Sequence, residues 1–397
     1  MWRCCACALA PLLFCISARA EEADLSGIAS QVEVHAFVSQ GLIKTTNNDY
    51  LAESERGSFE FTEIGLNFTK NITDDLRFGA QLFARDLGPL GNYTPQFDWL
   101  YLDYSFRDWL GLRAGRTKLP FGLYNEVNDI DSARVPVLLP QSVYPIQNRD
   151  FLLAQTGFEL YGYLPLSEAG ALEYRAYGGT IFVDQALDTD EVSETSAPYV
   201  VGGRLMWQSP LEGLQIGASA QKLRLEIEYQ LDAETRAALI NLGLLPAGST
   251  GEGSLDLPAF LWVGSIEYTG GDWLLAAEYS RWRIDTESSL PAIIPDAHSV
   301  SERMYAMLSY RVTPWFTPGI YYSVLFADVD DRSGRDAYQH DFAATFRYDL
   351  NSHWLLKLEG HYMHGTAGLS RPLNDDQPLD KLSADWGVLL VKTTAYF

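Results

Sequence analysis

The feature that most constrains the fold of this chain is an alternation of apolar and polar residues with a period of two. It is clearest in the segments 76–82, 171–177 and 341–348. A period of two places the apolar residues on one face of a β-strand and the polar residues on the other. A soluble β-sandwich shows the same alternation, so the pattern predicts strands and leaves the surroundings of their apolar face open. After residue 20, no apolar run approaches the roughly 20 residues of a membrane-spanning helix.

The alternation and the turn-forming residues together divide the chain into about sixteen candidate strands. Most of them have a length near the roughly ten residues with which a tilted strand crosses a bilayer. The candidate strands are 31–39, 58–70, 75–85, 97–107, 109–118, 156–164, 171–182, 198–208, 213–229, 258–269, 272–284, 302–312, 315–327, 338–349, 353–366 and 385–397.

The connections between these strands alternate between short and long. The short ones, such as 71–74, 107–108 and 270–271, carry the Gly, Asn and Asp residues that tight turns require. The long ones are 40–57, 86–96, 119–155, 183–197, 230–257, 285–301, 328–337 and 367–384. A soluble sheet has no reason to place every long loop at one end, whereas a barrel that crosses a membrane does. The predicted fold class is therefore all-β: a transmembrane antiparallel up-and-down β-barrel with short periplasmic turns and long extracellular loops.

The first twenty residues have the pattern of a signal peptide. Arg3 precedes an apolar stretch over 6–16, and Ala18-Arg19-Ala20 has the small-x-small form of a cleavage site. Cleavage there would divide the chain into a signal peptide, residues 1–20, and one barrel domain, residues 21–397. All four cysteines precede the cleavage site, so the exported protein is expected to have neither a disulfide nor a thiolate ligand.

The distribution of charge indicates a water-filled lumen. Lys and Arg total 29 against 52 Asp and Glu, a formal net charge of −23 that would repel a nucleic acid. Many charged residues fall on the polar side of the candidate strands, and no packed core could bury so many of them. They are Arg77, Arg85, Asp103, Arg113, Glu159, Arg175, Arg204, Lys222, Arg224, Glu226, Glu228, Glu278, Arg311, Arg347, Lys357 and Glu359. Those before residue 225 are mainly Arg and Lys, and the side of the lumen that they form is here called the basic wall.

Aromatic residues and the last residue agree with the same architecture. Trp109, Trp273, Trp315 and Trp354 stand beside short turns, as expected of a girdle at a membrane–water interface. The final strand ends in Phe397, which resembles the terminal signature of outer-membrane barrels of Gram-negative bacteria. Together with the signal peptide and the strands, these features resemble the Gram-negative porin superfamily. The resemblance implies a passive channel for small hydrophilic solutes and ions, a homotrimer in the outer membrane with lipid and lipopolysaccharide as neighbours, and no cofactor.

One segment narrows the resemblance. Residues 112–126, LRAGRTKLPFGLYNE, are similar to the barrels grouped with the phosphate-selective porins O and P. This narrower resemblance implies a substrate-specific anion channel as the alternative to a general channel. The basic wall favours that alternative.

The loop 119–155 is the third long loop, which in porins folds into the lumen and narrows the channel. The resemblance therefore places its acidic residues opposite the basic wall, where the two would set up a transverse field in a narrow constriction. The alternative is that these are ordinary solvated loop charges. The predicted constriction and lumen residues are Arg77, Arg85, Arg113, Arg116, Lys118, Glu126, Asp129, Asp131, Arg134, Arg149, Arg175 and Arg204. Strict alternation turns Arg116 and Lys118 outward unless Gly115 marks a β-bulge.

Two kinds of segment in the predicted outside loops carry further signals. Acidic clusters at 184–191, 328–331 and 374–376 could hold divalent cations that bridge lipopolysaccharide. Solvated loop surface is the favoured interpretation, because none has the Gly and Glu spacing of a calcium loop. Residues 232–243 predict a short helix with Asp232 as its N-cap and Gly243 at its end.

A barrel enzyme is the remaining alternative. Asp296-Ala297-His298 has the Asp-x-His spacing of the omptin proteases, but their barrels are shorter and such pairs are common in acidic loops. His361 and His364 are three residues apart, which places them on opposite faces of a strand and argues against a metal site. No catalytic or metal-binding residue is therefore predicted, and the chain is expected not to be an enzyme.

Overall fold

The computed structural model describes residues 32–182 and 192–397. The predicted signal peptide and the acidic cluster at 184–191 lie outside the described residues. The strands are β1 (Glu33–Thr45), β2 (Phe61–Asn71), β3 (Leu76–Leu87), β4 (Gln96–Arg107), β5 (Leu110–Lys118), β6 (Ala154–Pro165), β7 (Ala171–Ile181), β8 (Val192–Gln208), β9 (Leu214–Gln230), β10 (Glu252–Gly270), β11 (Trp273–Ser288), β12 (Ala297–Tyr310), β13 (Phe316–Phe326), β14 (Tyr338–Asn351), β15 (Trp354–Gly365) and β16 (Asp385–Tyr396). The α-helices are α1 (Arg149–Leu152) and α2 (Ala233–Asn241).

The strands form one closed barrel. Each strand pairs antiparallel with its neighbours in the sequence, and β1 pairs with β16 to complete the ring. Turns of two to five residues alternate with longer loops, so that all long loops lie at one end of the barrel. The predicted all-β, up-and-down barrel of sixteen strands is confirmed.

The long-loop end differs in detail from the prediction. Segments 192–197, 252–257 and 285–288, predicted as loop, belong to β8, β10 and β11. These strands have up to 19 residues, well beyond the roughly ten that cross a bilayer. In 285–288 polar residues occupy both faces, so the alternation that marks a strand is lost there.

The outward face of the barrel is apolar. Successive outward positions of β4 carry Leu100, Leu102, Tyr104 and Phe106, and all four side chains are exposed. Exposed apolar residues continue around the ring on the neighbouring strands. A contiguous apolar surface of this size indicates contact with lipid.

The predicted girdle lies at the short-turn end of this surface. Trp109, Trp273, Trp315 and Trp354 are 53, 46, 57 and 47% exposed. An indole ring with that exposure is typical of a membrane–water interface, where its ring contacts lipid and its N–H contacts water.

The predicted helix in the loop between β9 and β10 is confirmed as α2. The Asp232 side chain accepts hydrogen bonds from the backbone N–H groups of Glu234 and Thr235 at 2.8 and 2.9 Å, as an N-cap does. Gly243, with φ of 71°, ends it. Within residues 32–182 and 192–397, no helix combines the length and the apolar character needed to cross a membrane.

We expect the replacement Ile320→Arg to destabilise the barrel by about 2–4 kcal/mol, because Ile320 is exposed on the outward face near the middle of β13. The matched control is Thr317→Arg on the same strand, since Thr317 faces a cavity inside the barrel and its replacement should cost less than about 1 kcal/mol. Urea unfolding of the protein in lipid vesicles measures both. Equal losses for the two variants would contradict the assignment of the faces.

Candidate functional site: the loop inside the barrel

The loop between β5 and β6, residues 119–153 and here called the inner loop, lies inside the barrel. It enters through Phe121 and Gly122, and the Gly122 N–H donates to Ser219 Oγ on β9 at 3.0 Å. Gly122 has φ of 67°, and a Cβ there would lie 2.8 Å from Glu278 Oε1 and collide with the Tyr144 hydroxyl. Glycine is required at this turn because both the conformation and the space exclude a side chain.

The first half of the inner loop is attached to Glu278 on β11. Its carboxylate accepts hydrogen bonds from the Leu123 N–H at 2.9 Å, from Tyr305 at 2.8 Å and from Tyr144. Ser265 donates a further hydrogen bond at 2.5 Å. This buried carboxylate therefore holds the loop through hydrogen-bond donors alone.

The middle of the inner loop, residues 131–138, is attached to β15 and β16 by charged side chains. Glu359 accepts hydrogen bonds from the backbone N–H groups of Val137 at 2.6 Å and Leu138 at 2.9 Å. Asp131 forms ion pairs with Lys357 at 2.9 Å and Lys392 at 3.4 Å, all three being buried. The loop thus spans the lumen from β5 to the strands on the far side.

The ionisation of Asp131 is central to this attachment. Burial opposes the charge on the carboxylate, but Lys357, Lys392 and Arg134 outweigh burial and hold the pKa of Asp131 well below its usual value. Because its pKa is lower in the folded protein, the ionised Asp131 stabilises the fold at pH values above the pKa of the same carboxyl in the unfolded chain, near 4. This stabilisation is lost as the pH falls towards the pKa of the folded state. The Asp131 carboxylate should therefore stay ionised through the whole neutral range.

The basic wall predicted from the sequence forms an alternating chain of ion pairs. The successive N–O distances along it are 2.6–3.2 Å. In order, the chain is Arg77, Asp103, Arg113, Glu159, Arg175, Glu126, Arg204 and Glu173. Four guanidinium groups meet four carboxylates, and one of these, Glu126, belongs to the inner loop.

This pairing differs from the expected constriction, in which separated acidic and basic groups face each other. Glu126 contacts Arg175 and Arg204 directly, Asp129 pairs with Lys118, and Asp131 pairs with its buried lysines. Buried charges stabilise one another when they are in contact, whereas keeping them apart would remove their hydration without compensation. The loop acids therefore neutralise the wall more than they oppose it.

The remaining predicted loop and wall arginines also contact the inner loop or its surroundings. Arg149 pairs with Asp98 on β4, and Arg134 lies 3.6 Å from Asp131 within the loop itself. Arg85 donates to the backbone carbonyl of Ile146 at 3.5 Å. The sequence pattern missed Asp98 because a bulge between β3 and β4 shifts the register beside it.

The inward placement predicted for Arg116 is wrong. Arg116 lies directly opposite Leu100, an exposed outward residue, and the ladders on both sides of β5 run through Gly115 without a register shift. Strict alternation therefore continues, and the bulge that would have turned Arg116 inward is absent from β5. Lys118 has the same parity, but it stands at the strand end, and its Nζ donates to the Glu126 carbonyl in the inner loop at 2.7 Å.

The inward placement predicted for Lys222, Arg224, Glu226 and Glu228 is also wrong. Ser219 on β9 faces the inner loop, so residues of even number on this strand face outward. These four residues lie in the outer part of β9, where Arg224 pairs with Asp256 of β10 on the outer surface. Apolar residues alternate with them in the sequence, and here those apolar residues point inward. This reverses the usual rule for a barrel.

Two cavities lie on opposite sides of the inner loop. The outer cavity, of about 220 Å³, is lined by Ser323 and Gln339 from the outer halves of β13 and β14. The second, of about 370 Å³, is lined by Thr317 and Arg347 near the short-turn ends of the same strands. The inner loop, which contributes Ser142 to the first cavity and Val135 to the second, separates them.

The outer cavity contains an arginine that the sequence pattern missed. Arg303 of β12 faces it, beside Ser142 and Ser323. The segment around Arg303 has Met304, Ala306 and Leu308 on one face and Tyr305 and Met307 on the other. Because both faces are apolar, alternation gives no signal there.

The residues considered for catalysis or metal binding do not converge. His298 contacts Asp285 at the exposed outer rim, and Asp296 accepts a hydrogen bond from the Ser288 N–H at 2.9 Å. His361 and His364 lie on opposite faces, as predicted, since His361 contacts Asp341 inside and His364 contacts Asp385 outside. No group of three or more potential metal ligands occurs in the part of the chain that the structure describes.

Comparison with solved structures places this architecture among outer-membrane barrels. OmpT, an outer membrane protein of Vibrio cholerae, superposes with a TM-score of 0.58 in its loop L8 deletion mutant, at 11% identity over 92% of this chain and 99% of that one. An anion-selective porin from Comamonas acidovorans gives a TM-score of 0.53 at 12% identity, covering 92% of this chain and 99% of its own. The outer membrane channel DcaP of Acinetobacter baumannii gives 0.51 at 14% identity, with 92% and 97% covered. No family model and no curated protein sequence matches the chain. The chain therefore shares the fold of these barrels.

We expect Asp131→Asn to destabilise the protein by about 3–5 kcal/mol, because the change leaves Lys357 buried without a carboxylate partner and leaves Lys392 with Glu63 alone. It should also loosen the inner loop and make it susceptible to protease. The control is Asp330→Asn in the exposed loop between β13 and β14, which should change the free energy of unfolding by less than about 0.5 kcal/mol. Denaturant unfolding in detergent and limited proteolysis measure the two effects. A wild-type free energy of unfolding in Asp131→Asn would refute the charged attachment.

Proposed function

We propose that the chain is an outer-membrane porin, a channel through which small hydrophilic solutes and ions diffuse passively. The observation that carries this proposal is the distribution of polarity across the wall. The outward face exposes apolar side chains, whereas the inward face carries charged and polar groups and surrounds a loop with a cavity on each side. A barrel of this kind can cross a membrane and hold water inside.

Size and charge would filter the solutes at the inner loop. The loop crosses the lumen and divides it, so a solute passing between the two cavities moves along the loop and the wall of β12 to β14. Ser309, Gly319, Tyr321 and Thr345 line this wall beside Val135 and Pro136 of the loop. The loop and the wall are in contact there and leave no water-sized space between them.

A phosphate-type anion channel is the narrower candidate. The segment 112–126 that resembles the phosphate-selective porins contributes Arg113, Arg116 and Lys118. Arg113 pairs with Asp103 and Glu159, Lys118 pairs with Asp129, and Arg116 is on the outward face. These groups are therefore already neutralised or misplaced, and this segment gives a phosphate ion little net attraction.

We also propose that the protein acts without catalysis and assembles as a homotrimer. The described outward positions of β16, β1, β2 and β3 carry no Trp or Tyr, and this is the longest run of neighbouring strands without them, since β5, β6 and β9 also lack them but the other strands do not. Trp and Tyr anchor a surface at the lipid headgroups, and a face covered by another subunit has no use for them. The face formed by β16 to β3 is therefore the proposed contact between subunits.

Electrical recording in a planar lipid bilayer tests the channel. The purified protein should insert in discrete steps, each adding a stable conductance that is proportional to voltage, and a salt gradient should give a reversal potential that reports ion preference. The proposal would be contradicted if the correctly folded and inserted protein gave no current, or if it cleaved a peptide substrate.

We expect Ala36→Trp on β1 to convert trimers to monomers, because the indole ring would stand in the proposed subunit contact. Ala306→Trp on the outward face of β12 is the matched control, and it should leave the trimer intact. Chemical cross-linking in native membranes, followed by electrophoresis, measures the subunit number. Trimers of equal amount in both variants would show that the contact lies elsewhere.

A further inference from the structure

The outer cavity contains a cation whose environment differs from that of the basic wall. Arg303 lies mid-strand on β12, with its guanidinium carbon 3.6 Å from the centre of the Trp282 ring. Nε donates to Ser301 Oγ at 2.9 Å and Nη1 donates to the Ser142 carbonyl at 2.9 Å. These contacts fix the plane of the guanidinium group in one orientation.

Within the described residues, no carboxylate lies within salt-bridge distance of Arg303. This contrasts with Arg113, Arg175 and Arg204, each of which contacts two carboxylates. A guanidinium group held by a hydroxyl, a carbonyl and an aromatic ring has no anionic partner to neutralise its charge. Its Nη2 atom has no hydrogen-bond acceptor among these residues.

The cavity offers further donors around the same space. The side-chain amides of Gln147 and Asn148 line it and donate to none of the described residues. Gln339 Nε2 has only the sulfur of Met363 at 3.9 Å, a weak acceptor. Three amide groups and one guanidinium group therefore converge on a cavity of about 220 Å³, which is enough for a small molecule with a few waters.

Asp341, the one carboxylate among the described residues that line the cavity, is engaged elsewhere. It accepts hydrogen bonds from His361 Nδ1 at 2.9 Å and from the Tyr321 hydroxyl at 3.3 Å. It makes no ion pair with Arg303. The positive end of the cavity is therefore open to a ligand rather than closed by an internal salt bridge.

We infer that the outer cavity is a binding site for a small oxyanion, a carboxylate or a phosphate, held at Arg303 and by the amides of Gln147 and Asn148. This rests on the proposed channel function and names the class of solute that the channel would favour. The site lies on the outer side of the inner loop, so it would collect the anion before the narrowest passage. Anion preference would then come from this single unpaired arginine and not from the paired basic wall.

The test is the effect of sodium phosphate and of sodium succinate on the current that the protein carries in dilute potassium chloride. In the wild type each oxyanion should reduce the chloride current along a saturating curve. Arg303→Gln should raise the half-effect concentration by about tenfold or more, since it removes a charged hydrogen-bond donor. Its conductance in potassium chloride alone, recorded alongside, shows that the variant still forms a channel.

Arg303→Lys and Arg281→Gln complete the series. Arg303→Lys keeps the charge but loses the planar guanidinium group with its paired N–H donors. The half-effect concentration of this variant should therefore lie between those of the wild type and Arg303→Gln. Arg281 pairs with Glu302 at 3.1 Å on the outward surface, and Arg281→Gln makes the same change of charge outside the lumen. It should leave the oxyanion effect unchanged. Heat-modifiable mobility on electrophoresis verifies that each variant forms the barrel.

Each outcome of these measurements either supports or overturns the proposed oxyanion site. A saturating effect of only one oxyanion supports the site and identifies its ligand class. An equal half-effect concentration in the wild type and Arg303→Gln, or a purely linear effect in the wild type, overturns it. If the wild type carries no current, the proposed channel fails, and calorimetric titration of the folded protein in detergent with phosphate and succinate then decides the site. Binding that Arg303→Gln abolishes supports it, and the absence of binding overturns it.

Discussion

The structure depends on the closure of the backbone hydrogen-bond ladder. Within lipid, an unpaired N–H or C=O group costs several kcal/mol, so a sheet that crosses a membrane must have no open edge. The pairing of β1 with β16, from Phe37 opposite Tyr396 to Thr45 opposite Val388, removes the last edge. Once the ring is closed, the two faces of every strand are separated into a lipid side and a lumen side.

A closed ring of sixteen strands is too wide for its own side chains to fill, and the inner loop occupies much of the remaining space. The loop brings its own backbone polar groups into the barrel, and these need partners. Glu278 and Glu359 on the wall accept backbone N–H groups of the loop, while Lys357 donates to the carbonyl of Asp131 at 2.7 Å. Many of the charged residues inside the barrel therefore serve to attach the loop, and this is a structural role.

The same principle changes how the electrostatics of the lumen are interpreted. A count of basic residues along β3 to β8 suggests a strongly positive wall, but each guanidinium group in the alternating chain touches at least one carboxylate. What attracts a solute is the charge left after internal pairing. By that measure Arg303, which lies outside the predicted basic segment, has more influence on an anion than Arg113.

The sequence by itself determined the fold class, the number of strands and the alternation of short and long connections, because these follow from local periodicity and turn residues. It also determined the capped helix after Asp232, since a cap is a contact within four residues. It failed where a side chain's direction depends on distant partners. Arg116 and Glu226 were predicted to point inward and face outward, and Asp98 is turned inward by a bulge that only the pairing of β3 with β4 reveals. The tertiary structure alone decided the pairing of loop acids with wall bases and, among the described residues, the isolation of Arg303 from any carboxylate. Both depend on contacts that no local pattern records, such as those of Asp131 with Lys357 and of Arg303 with Ser142.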